Sequence, residues 1–145
     1  MEVEFKHGIY FISGDITETC DLVNLNIPSG NNAKFDLGGV RTINSCGVRE
    51  WIKSINKQKI SPIYMNCPQS VVMQFNMVKE FLGTTGKIDS FQVPAYCVTC
   101  GEQKIYLLRS GREFNPGEKL EFELAKCDKD NCAIEADVDF ESYFY

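Results

Sequence analysis

Histidine is nearly missing from this sequence, and its scarcity limits the chemistry that the chain can perform. The 145 residues contain one histidine, His7, which stands beside Gly8 near the start of the chain. Histidine is the usual general base near neutral pH, and it also activates serine and cysteine nucleophiles. We therefore expect no enzymatic activity, and we interpret His7 as an exposed turn residue rather than a ligand.

Long apolar runs are absent as well. No stretch approaches the roughly 20 apolar residues that a membrane-spanning helix requires, and the opening MEVEFKHG lacks the apolar core of a secretory signal. The seven cysteines are an odd number, and without a secretory signal a disulfide framework is not expected. The sequence therefore predicts a soluble, cytoplasmic protein that does not bind a membrane.

The chain also lacks the excess of basic residues that nucleic-acid binding needs. Its net charge is −5. Residues 1–93 carry nine acidic and nine basic side chains, whereas residues 94–145 carry eleven acidic and six basic ones. Because nucleic acids are bound through a basic surface, we expect no nucleic-acid partner. We interpret the acidic surface of the second part as solvated.

The pattern of apolar residues divides the chain at Pro94 into a domain over 1–93 and an extension over 94–145. In the first part, strand patterns alternate with helical ones, which predicts an α/β fold with helices packed on a parallel or mixed sheet. The extension has turn residues and alternating runs, which predict a small β-rich module. Residues 3–13 are predicted to form two short strands around a turn at 6–8, or one hairpin, and 9–13 is the stronger strand. Further strands are predicted over 34–37, 40–43, 63–67, 90–93, 104–109 and 120–124, and helices are predicted within 17–27, over 48–55 and over 69–82.

The most informative stretch is 34–55, which reads KFDLGGVRTINSCGVREWIKSI. A strand pattern ends near Ile43, four residues turn the chain, and a helix follows. Its apolar positions Val48, Trp51, Ile52 and Ile55 have the spacing of one buried stripe, so Trp51 is predicted to lie in the core. Asn44 and Ser45 are both suited to cap this helix, because a short side-chain oxygen accepts from first-turn amides.

This stretch resembles the STAS domain, the fold of anti-sigma-factor antagonists. The family pattern is D-L-x-x-V, then an aspartate, then Ser-Ser/Thr-Gly at the start of a helix. Residues 36–40 read DLGGV and residues 44–47 read NSCG, in register with that pattern. Asn44 replaces the aspartate and Cys46 replaces the second serine or threonine. The resemblance covers about residues 1–93 and implies a STAS-like mixed sheet with helices packed on it.

The resemblance also implies a function. The chain would be a non-enzymatic bacterial signalling protein that regulates transcription, and its partner would be an anti-sigma factor with serine-kinase activity. Ser45 falls on the residue that such a kinase phosphorylates. Gly47 has no side chain, so a partner can approach closely there. The predicted docking surface consists of Thr42, Asn44, Ser45, Gly47, Arg49 and Lys53. The sequence leaves open an alternative, a constitutive protein-interaction scaffold without the phosphorylation switch, which Asn44 and Cys46 favour.

Four cysteines of the extension are spaced like metal ligands. Cys97 and Cys100 form C-x-x-C, and Cys127 and Cys132 follow after 26 intervening residues as C-x-x-x-x-C. Four thiolates at the tips of two β-turns suit tetrahedral zinc, and Gly101 helps the backbone to turn there. The extension therefore resembles a zinc ribbon holding one structural Zn²⁺. Chance thiols and a redox pair are the open alternatives.

Two other features stand outside these motifs. Cys20 and Cys67 are predicted to be small core residues, whereas Cys46 is either a reactive thiol at a helix N-terminus or an inert one. The final residues 137–145, DVDFESYFY, combine acidic and aromatic side chains. We interpret them as a last strand or short helix that folds back on the first part.

Overall fold

The computed structural model describes residues 1–20, 27, 32–82, 85–98 and 101–112, and the backbone of 134–136. Its elements are β1 (Glu2–Lys6), β2 (Ile9–Ile16), β3 (Asn32–Ile43), α1 (Ser45–Gln58), β4 (Ser61–Met65), α2 (Gln69–Met77), β5 (Lys87–Ile88), β6 (Ser90–Cys97), β7 (Gln103–Arg109) and β8 (Ile134–Ala136). Strands β1 to β5 form a mixed sheet in chain order, and β7, β6 and β8 form an antiparallel sheet. The predicted α/β class with helices on a mixed sheet is confirmed.

The zinc-ribbon-like module stays a prediction. Its first predicted strand is present as β7, but the strand predicted over 120–124 lies outside the described residues. Most of the short helix predicted within 17–27 lies outside them as well. Among the described residues, no helix is both long enough and apolar enough to cross a membrane.

One face of the five-stranded sheet carries a row of large apolar side chains that crosses every strand. Phe5, Tyr10, Phe35, Tyr64 and Ile88 are successive register partners from β1 to β5. Phe35 and Tyr64 are fully buried, because Trp51 of α1 and Phe75 of α2 pack against this face. Alternation along each strand sends the neighbouring side chains to the opposite face, as the period of two requires.

Helix α1 packs on this row through the stripe that its sequence predicts. Val48, Trp51 and Ile55 are buried and Ile52 is half-buried. The Trp51 ring meets Phe35 edge-on, with ring centroids 5.3 Å apart. The helix ends at Gln58, and the left-handed backbone of Lys59 (φ 52°) turns the chain away from the helix axis.

Helix α2 is shorter than predicted, and this part of the interpretation is wrong. The pattern predicts a helix over 69–82, but α2 ends at Met77, and a single 3₁₀ turn covers Lys79–Phe81. The extended backbone of Val78 (φ −127°, ψ 94°) breaks the helix. The break brings Phe81 into the core, where its ring lies 4.6 Å from that of Phe75, centroid to centroid.

Strand β6 joins the two predicted parts of the chain. A strand was expected over 90–93 with a boundary at Pro94, but β6 continues through Pro94 to Cys97. At its start, Phe91 forms a parallel bridge with Cys67, just after β4. The Gln92 amide donates to the Cys67 carbonyl (2.7 Å), and the Cys67 amide donates to the Ser90 carbonyl (3.1 Å). The strand is therefore continuous across the predicted boundary between residues 93 and 94.

A chain of buried hydrogen bonds ties α1, β4 and the 3₁₀ turn together. The Trp51 indole donates to the Tyr64 hydroxyl (2.9 Å), which donates to the Phe81 carbonyl (3.3 Å). Burial raises the pKa of the Tyr64 hydroxyl, so this group stays protonated and can donate. Tyr64 is thus both acceptor and donor within the buried core.

We expect Tyr64→Phe to destabilise the protein by about 1–3 kcal/mol, because it leaves a buried indole N–H and a carbonyl unpaired. The single tryptophan gives the readout, through its fluorescence during urea unfolding. Tyr10→Phe is the matched control, since Tyr10 belongs to the same aromatic row but is only half-buried. Equal unfolding midpoints for the two variants would contradict the importance of the buried hydroxyl.

Candidate functional site

The candidate site lies where the parallel strands β2 and β3 end and α1 begins. Asp15 pairs with Thr42 and Ile16 with Ile43, so the carboxyl ends of both strands meet at one edge of the sheet. The Asn44 amide donates to the Ile16 carbonyl (3.2 Å), which fixes the turn against the end of β2. This edge carries the residues that the sequence predicted as a docking surface.

Asn44, and not Ser45, caps helix α1. Its side-chain oxygen accepts from the Gly47 amide (2.7 Å), and its backbone is extended (φ −109°, ψ 170°). Ser45 is the first residue of the helix and is exposed. Within the part of the chain that the structure describes, the Ser45 hydroxyl makes no hydrogen bond. The sequence admitted either residue as the cap, and the structure assigns that role to Asn44.

Gly47 allows helix α1 to pack closely inside the protein, which corrects the expectation that it lets a partner approach. It is buried against the end of β2, and a Cβ placed there would collide with the Ile16 carbonyl oxygen. The glycine therefore lets the helix approach the strand, and it does not offer a partner an accessible surface. Of the predicted docking residues, Thr42, Asn44, Ser45, Arg49 and Lys53 are exposed.

An ion pair beside the turn was missed at the sequence level. Arg41 on β3 binds Asp15 on β2 through two hydrogen bonds, one from Nε (3.0 Å) and one from a terminal nitrogen (2.6 Å). The Thr42 hydroxyl donates to the same carboxylate (2.7 Å). Two-pronged pairing of this kind fixes the plane of a guanidinium. The Arg41 side chain remains 76% exposed, so its other edge is open to a partner.

Electrostatics hold this cluster in its charged form. The hydrogen bonds from Arg41, and then from Thr42, lower the pKa of the Asp15 carboxyl from 3.8 to about 2. Asp15 in turn raises the pKa of Arg41. Because a lowered folded pKa favours the ionised carboxylate, the pair persists throughout the neutral range. The exposed pair orients the surface rather than contributing much to stability.

The exposed face of α1 carries one acidic side chain between two basic ones. Glu50 lies between Arg49 and Lys53, with its carboxylate oxygen 3.9 Å from Arg49 Nε and 3.3 Å from Lys53 Nζ. Both basic side chains are 65% exposed. The predicted docking surface therefore presents two cations around one shared carboxylate, with Ser45 one turn away.

A signal for Asp15 existed in the sequence. The strand over 9–13 was expected to stop before Gly14, whereas β2 continues to Ile16 through an irregular register beside Gly39. Extending the strand by three residues would have put Asp15 at the same edge as Thr42, because parallel strands share their carboxyl edge. Arg41 directly precedes Thr42 on β3, and no sequence motif identified it as a site residue.

Cys20 and Cys67 are core residues, which confirms the prediction for both. Cys20 and Cys67 are buried, and the Cys20 thiol donates to the Gly47 carbonyl at 3.6 Å. Burial, and secondarily the charge of Asp36, raises the pKa of the Cys67 thiol. Cys46 is half-buried at the second position of α1.

Of the four predicted zinc ligands, Cys97 alone lies within the described residues, while Cys100, Cys127 and Cys132 lie outside them. Cys97 is buried at the end of β6. Its amide donates to the Glu102 carbonyl (2.9 Å), and the Gly101 amide donates to the Cys97 carbonyl (2.9 Å). Gly101 has a positive φ of 73°, so the backbone doubles back sharply after the C-x-x-C pair.

In comparisons with protein families, with curated proteins and with solved structures, nothing matches this chain.

We expect Asn44→Ala to destabilise the protein by about 1 kcal/mol, because it removes the side-chain cap of α1. Ser45→Ala should change stability by no more than about 0.5 kcal/mol, since an exposed hydroxyl without a partner is removed. Chemical unfolding of both variants beside the wild type measures the difference. A larger loss for Ser45→Ala than for Asn44→Ala would show that Ser45 supplies the cap.

Proposed function

We propose that this protein is a non-enzymatic bacterial signalling protein of the anti-sigma-factor-antagonist type, which docks a regulatory partner at the Asn44–Ser45 turn and along α1. The observation that carries the proposal is the exposure of Ser45 at the first position of α1, with Asn44 doing the capping. The hydroxyl is thus available for modification without loss of the helix cap. The proposed setting is the bacterial cytoplasm, with neither nucleic acid nor membrane as partner.

The surroundings of Ser45 suit a switch based on phosphate. A helix N-terminus favours an anion, because its first amides point outward and its dipole is positive there. A phosphate adds about −1.5 to −2 charges, so the free protein tolerates it while a docked partner meets a new desolvated charge. Arg49, Lys53 and Arg41 are exposed cations near this turn and would define the partner's charge.

The geometry gives no support to catalysis at this edge. His7 lies in the β1–β2 turn, at the far end of β2 from Asp15 and Ile16. Eight strand residues at 3.2–3.4 Å each separate the two ends by roughly 23 Å. The only imidazole in the sequence therefore cannot activate the Ser45 hydroxyl or the Cys46 thiol as a base.

A constitutive scaffold is the second candidate, and the Asn44 side chain favours it. The resembling family has an aspartate there, whereas the Asn44 amide is neutral and its oxygen is already used by the Gly47 amide. A scaffold would use the same surface without covalent control. Phosphate transfer to Ser45 by a purified anti-sigma kinase of the host separates the two candidates, because a scaffold accepts none.

We expect Ser45→Asp to weaken binding of the partner about tenfold or more, which corresponds to about 1.4 kcal/mol, by adding charge inside the contact. Arg49→Glu should weaken binding by a similar factor, and Ser45→Ala should bind normally. Titration of the purified partner by calorimetry gives the affinities.

Lys57→Glu is the matched control for charge, because Lys57 is exposed on the last turn of α1, remote from Ser45. Unchanged affinity for both Ser45→Asp and Arg49→Glu would place docking on another surface. Equal weakening by Lys57→Glu would reveal a general charge effect instead.

We also propose that Cys97, Cys100, Cys127 and Cys132 hold one structural Zn²⁺. The described residues fit this ligand set in two ways. The turn from Cys97 to Glu102 is closed by hydrogen bonds and places a buried thiol at its start. The register of β8 puts Ile134 directly opposite Cys97. Two residues of chain span at most about 7 Å, so Cys132 is within reach of Cys97 in the proposed site.

We expect metal analysis of protein never exposed to chelator to find one zinc per chain. Cys97→Ser should lower that content by at least half, because three thiolates bind a structural zinc far more weakly than four. Cys46→Ser is the control and should leave the zinc content unchanged, as Cys46 lies on α1. Zinc well below one per chain in the wild type would refute the site.

A further inference from the structure

Strand β1 forms one edge of the five-stranded sheet, and the proposed function does not use it. Among the described strands, β2 is its only neighbour in that sheet. The strand at the other edge, β5, has two residues, whereas β1 has five. The outer backbone groups of an edge strand are able to pair with a further strand. β1 therefore offers the longer of the two edges of this sheet.

The turn that follows β1 determines how its backbone is paired. His7 and Gly8 connect β1 to β2, and both have positive φ (52° and 79°), as a two-residue type I′ turn requires. Such a turn is closed by a backbone hydrogen bond between its flanking residues, which here are Lys6 and Ile9. The backbone groups of Lys6 are therefore directed toward β2.

The alternation of an antiparallel ladder then assigns the other residues of β1. Hydrogen-bonded and non-hydrogen-bonded pairs follow one another along such a ladder. Glu4 is two residues from Lys6, so its backbone groups are also directed toward β2. Val3 and Phe5 lie at the non-hydrogen-bonded positions. Their amides and carbonyls consequently point away from β2, toward a further strand.

Phe5 also presents an aromatic ring at this edge. Its side chain is 62% exposed, although its ring centroid lies 4.6 Å from that of Tyr10. The Tyr10 ring in turn lies 5.6 Å from that of Phe35, centroid to centroid. The row of large apolar side chains thus extends from the core to the edge of the sheet. An aromatic residue placed opposite Phe5 on an added strand would continue this row.

The other face of β1 carries charges of both signs. Glu2, Glu4 and Lys6 alternate with the apolar residues of the strand, and all three are exposed. Within the described part of the chain, no ion pair involves Glu4 or Lys6. An acid and a base two residues apart complement each other when the same strand is added in the antiparallel direction. The sequence of β1 therefore fits a second copy of itself.

We propose that two copies of this protein associate through β1, antiparallel to each other and about a two-fold axis at Phe5. In this register Phe5 of one copy lies opposite Phe5 of the other, and Glu4 of each copy lies opposite Lys6 of the other. The two Phe5 residues exchange both of their backbone hydrogen bonds, because these groups point outward. A shift by one residue would oppose outward backbone groups to inward ones, so such registers do not form.

Charge selects this register from the other two-fold arrangements that the backbone would allow. A pair centred on Glu4 would place two carboxylates directly opposite each other, and one centred on Val3 would oppose Glu2 to Glu4. Like charges at such positions are destabilising. The pair centred on Phe5 has two opposite-charge contacts and one aromatic contact. A two-fold interface repeats every contact, so both ion pairs form together.

The proposed interface is small, because each copy contributes one five-residue strand. Interfaces below about 1,200 Å² are typical of weak, transient complexes, so we expect a monomer–dimer equilibrium that depends on concentration. The axis makes the two copies of β2 antiparallel. Their Asn44–Ser45 turns therefore lie at opposite ends of the joined strands, where association through β1 leaves both accessible.

Charge reversal, measured by sedimentation equilibrium of the full chain, tests the register. We expect Glu4→Lys and Lys6→Glu each to raise the dissociation constant of the dimer about tenfold, because each converts both ion pairs into like-charge pairs. An equal mixture of the two variants should associate at least as tightly as the wild type, since every charged pair then joins a lysine to a glutamate.

Glu2→Lys is the matched control, because Glu2 is an exposed acid on the same face of β1 but lies opposite Gly8 in this register. It should change the dissociation constant by less than about twofold. A wild type that is monomeric at every concentration would overturn the proposal. A dimer insensitive to both reversals, or weakened equally by Glu2→Lys, would overturn it as well. Unfolding followed by Trp51 fluorescence confirms that each variant is folded.

Amide hydrogen exchange of the wild type, followed by NMR, supplies a second readout that needs no variant. We expect the Phe5 amide to exchange about fivefold more slowly when the chain concentration is about ten times the dissociation constant. The amides of Glu4 and Lys6 should show no such dependence, because β2 already pairs with them. Slow exchange of the Phe5 amide at every concentration would show that a segment of the same chain covers β1, which overturns the proposal. Neither readout involves binding at Ser45, so these results are independent of the proposed function.

Discussion

The contact between Trp51 and Tyr64 is the interaction on which the arrangement of this protein depends. It joins the middle of α1 to a fully buried side chain of the row that crosses the sheet, and the second bond of Tyr64 reaches the backbone at Phe81. An indole N–H and a phenol are too polar to be buried without partners. The bond from Trp51 to Tyr64 and the bond from Tyr64 to Phe81 therefore select one position of α1 on the sheet out of the many that apolar packing alone would permit.

The position of α1 in turn sets the candidate site. With the helix fixed at Trp51, its first turn lies against the end of β2, where Gly47 permits contact with the Ile16 carbonyl. Asn44 then completes the turn by bonding both to Ile16 and to Gly47. Ser45 is left outward as a geometric consequence. The hydroxyl is thus exposed because of how the core packs, and not because the turn is flexible.

Local pattern predicts a large part of this fold. The stripe of α1 and the alternation of β3 are periodic features that follow from 3.6 and 2 residues per repeat, and both are present. The end of α2 was not predictable, because Phe81 enters the core only if Val78 is extended, and the sequence does not show that requirement. The choice of Asn44 over Ser45 depends on where β2 ends, and Asp15 was missed for the same reason. Long-range geometry decides each of these three points.

Strand β6 has a consequence for how the molecule responds to stress. Its first residues hold Cys67 through two backbone bonds, and its last residue, Cys97, stands opposite Ile134. Cooperative opening units often coincide with supersecondary motifs, and β6 belongs both to the antiparallel sheet and to the contact with Cys67. Fraying that starts at the Cys97 turn would therefore travel along β6 to the Asn66 and Gln92 side chains, which bond to each other at 3.0 Å. The two halves of the chain would share a single opening free energy there. A disturbance at the Cys97 end of β6 would therefore weaken the contacts of Asn66, just after β4 of the first sheet.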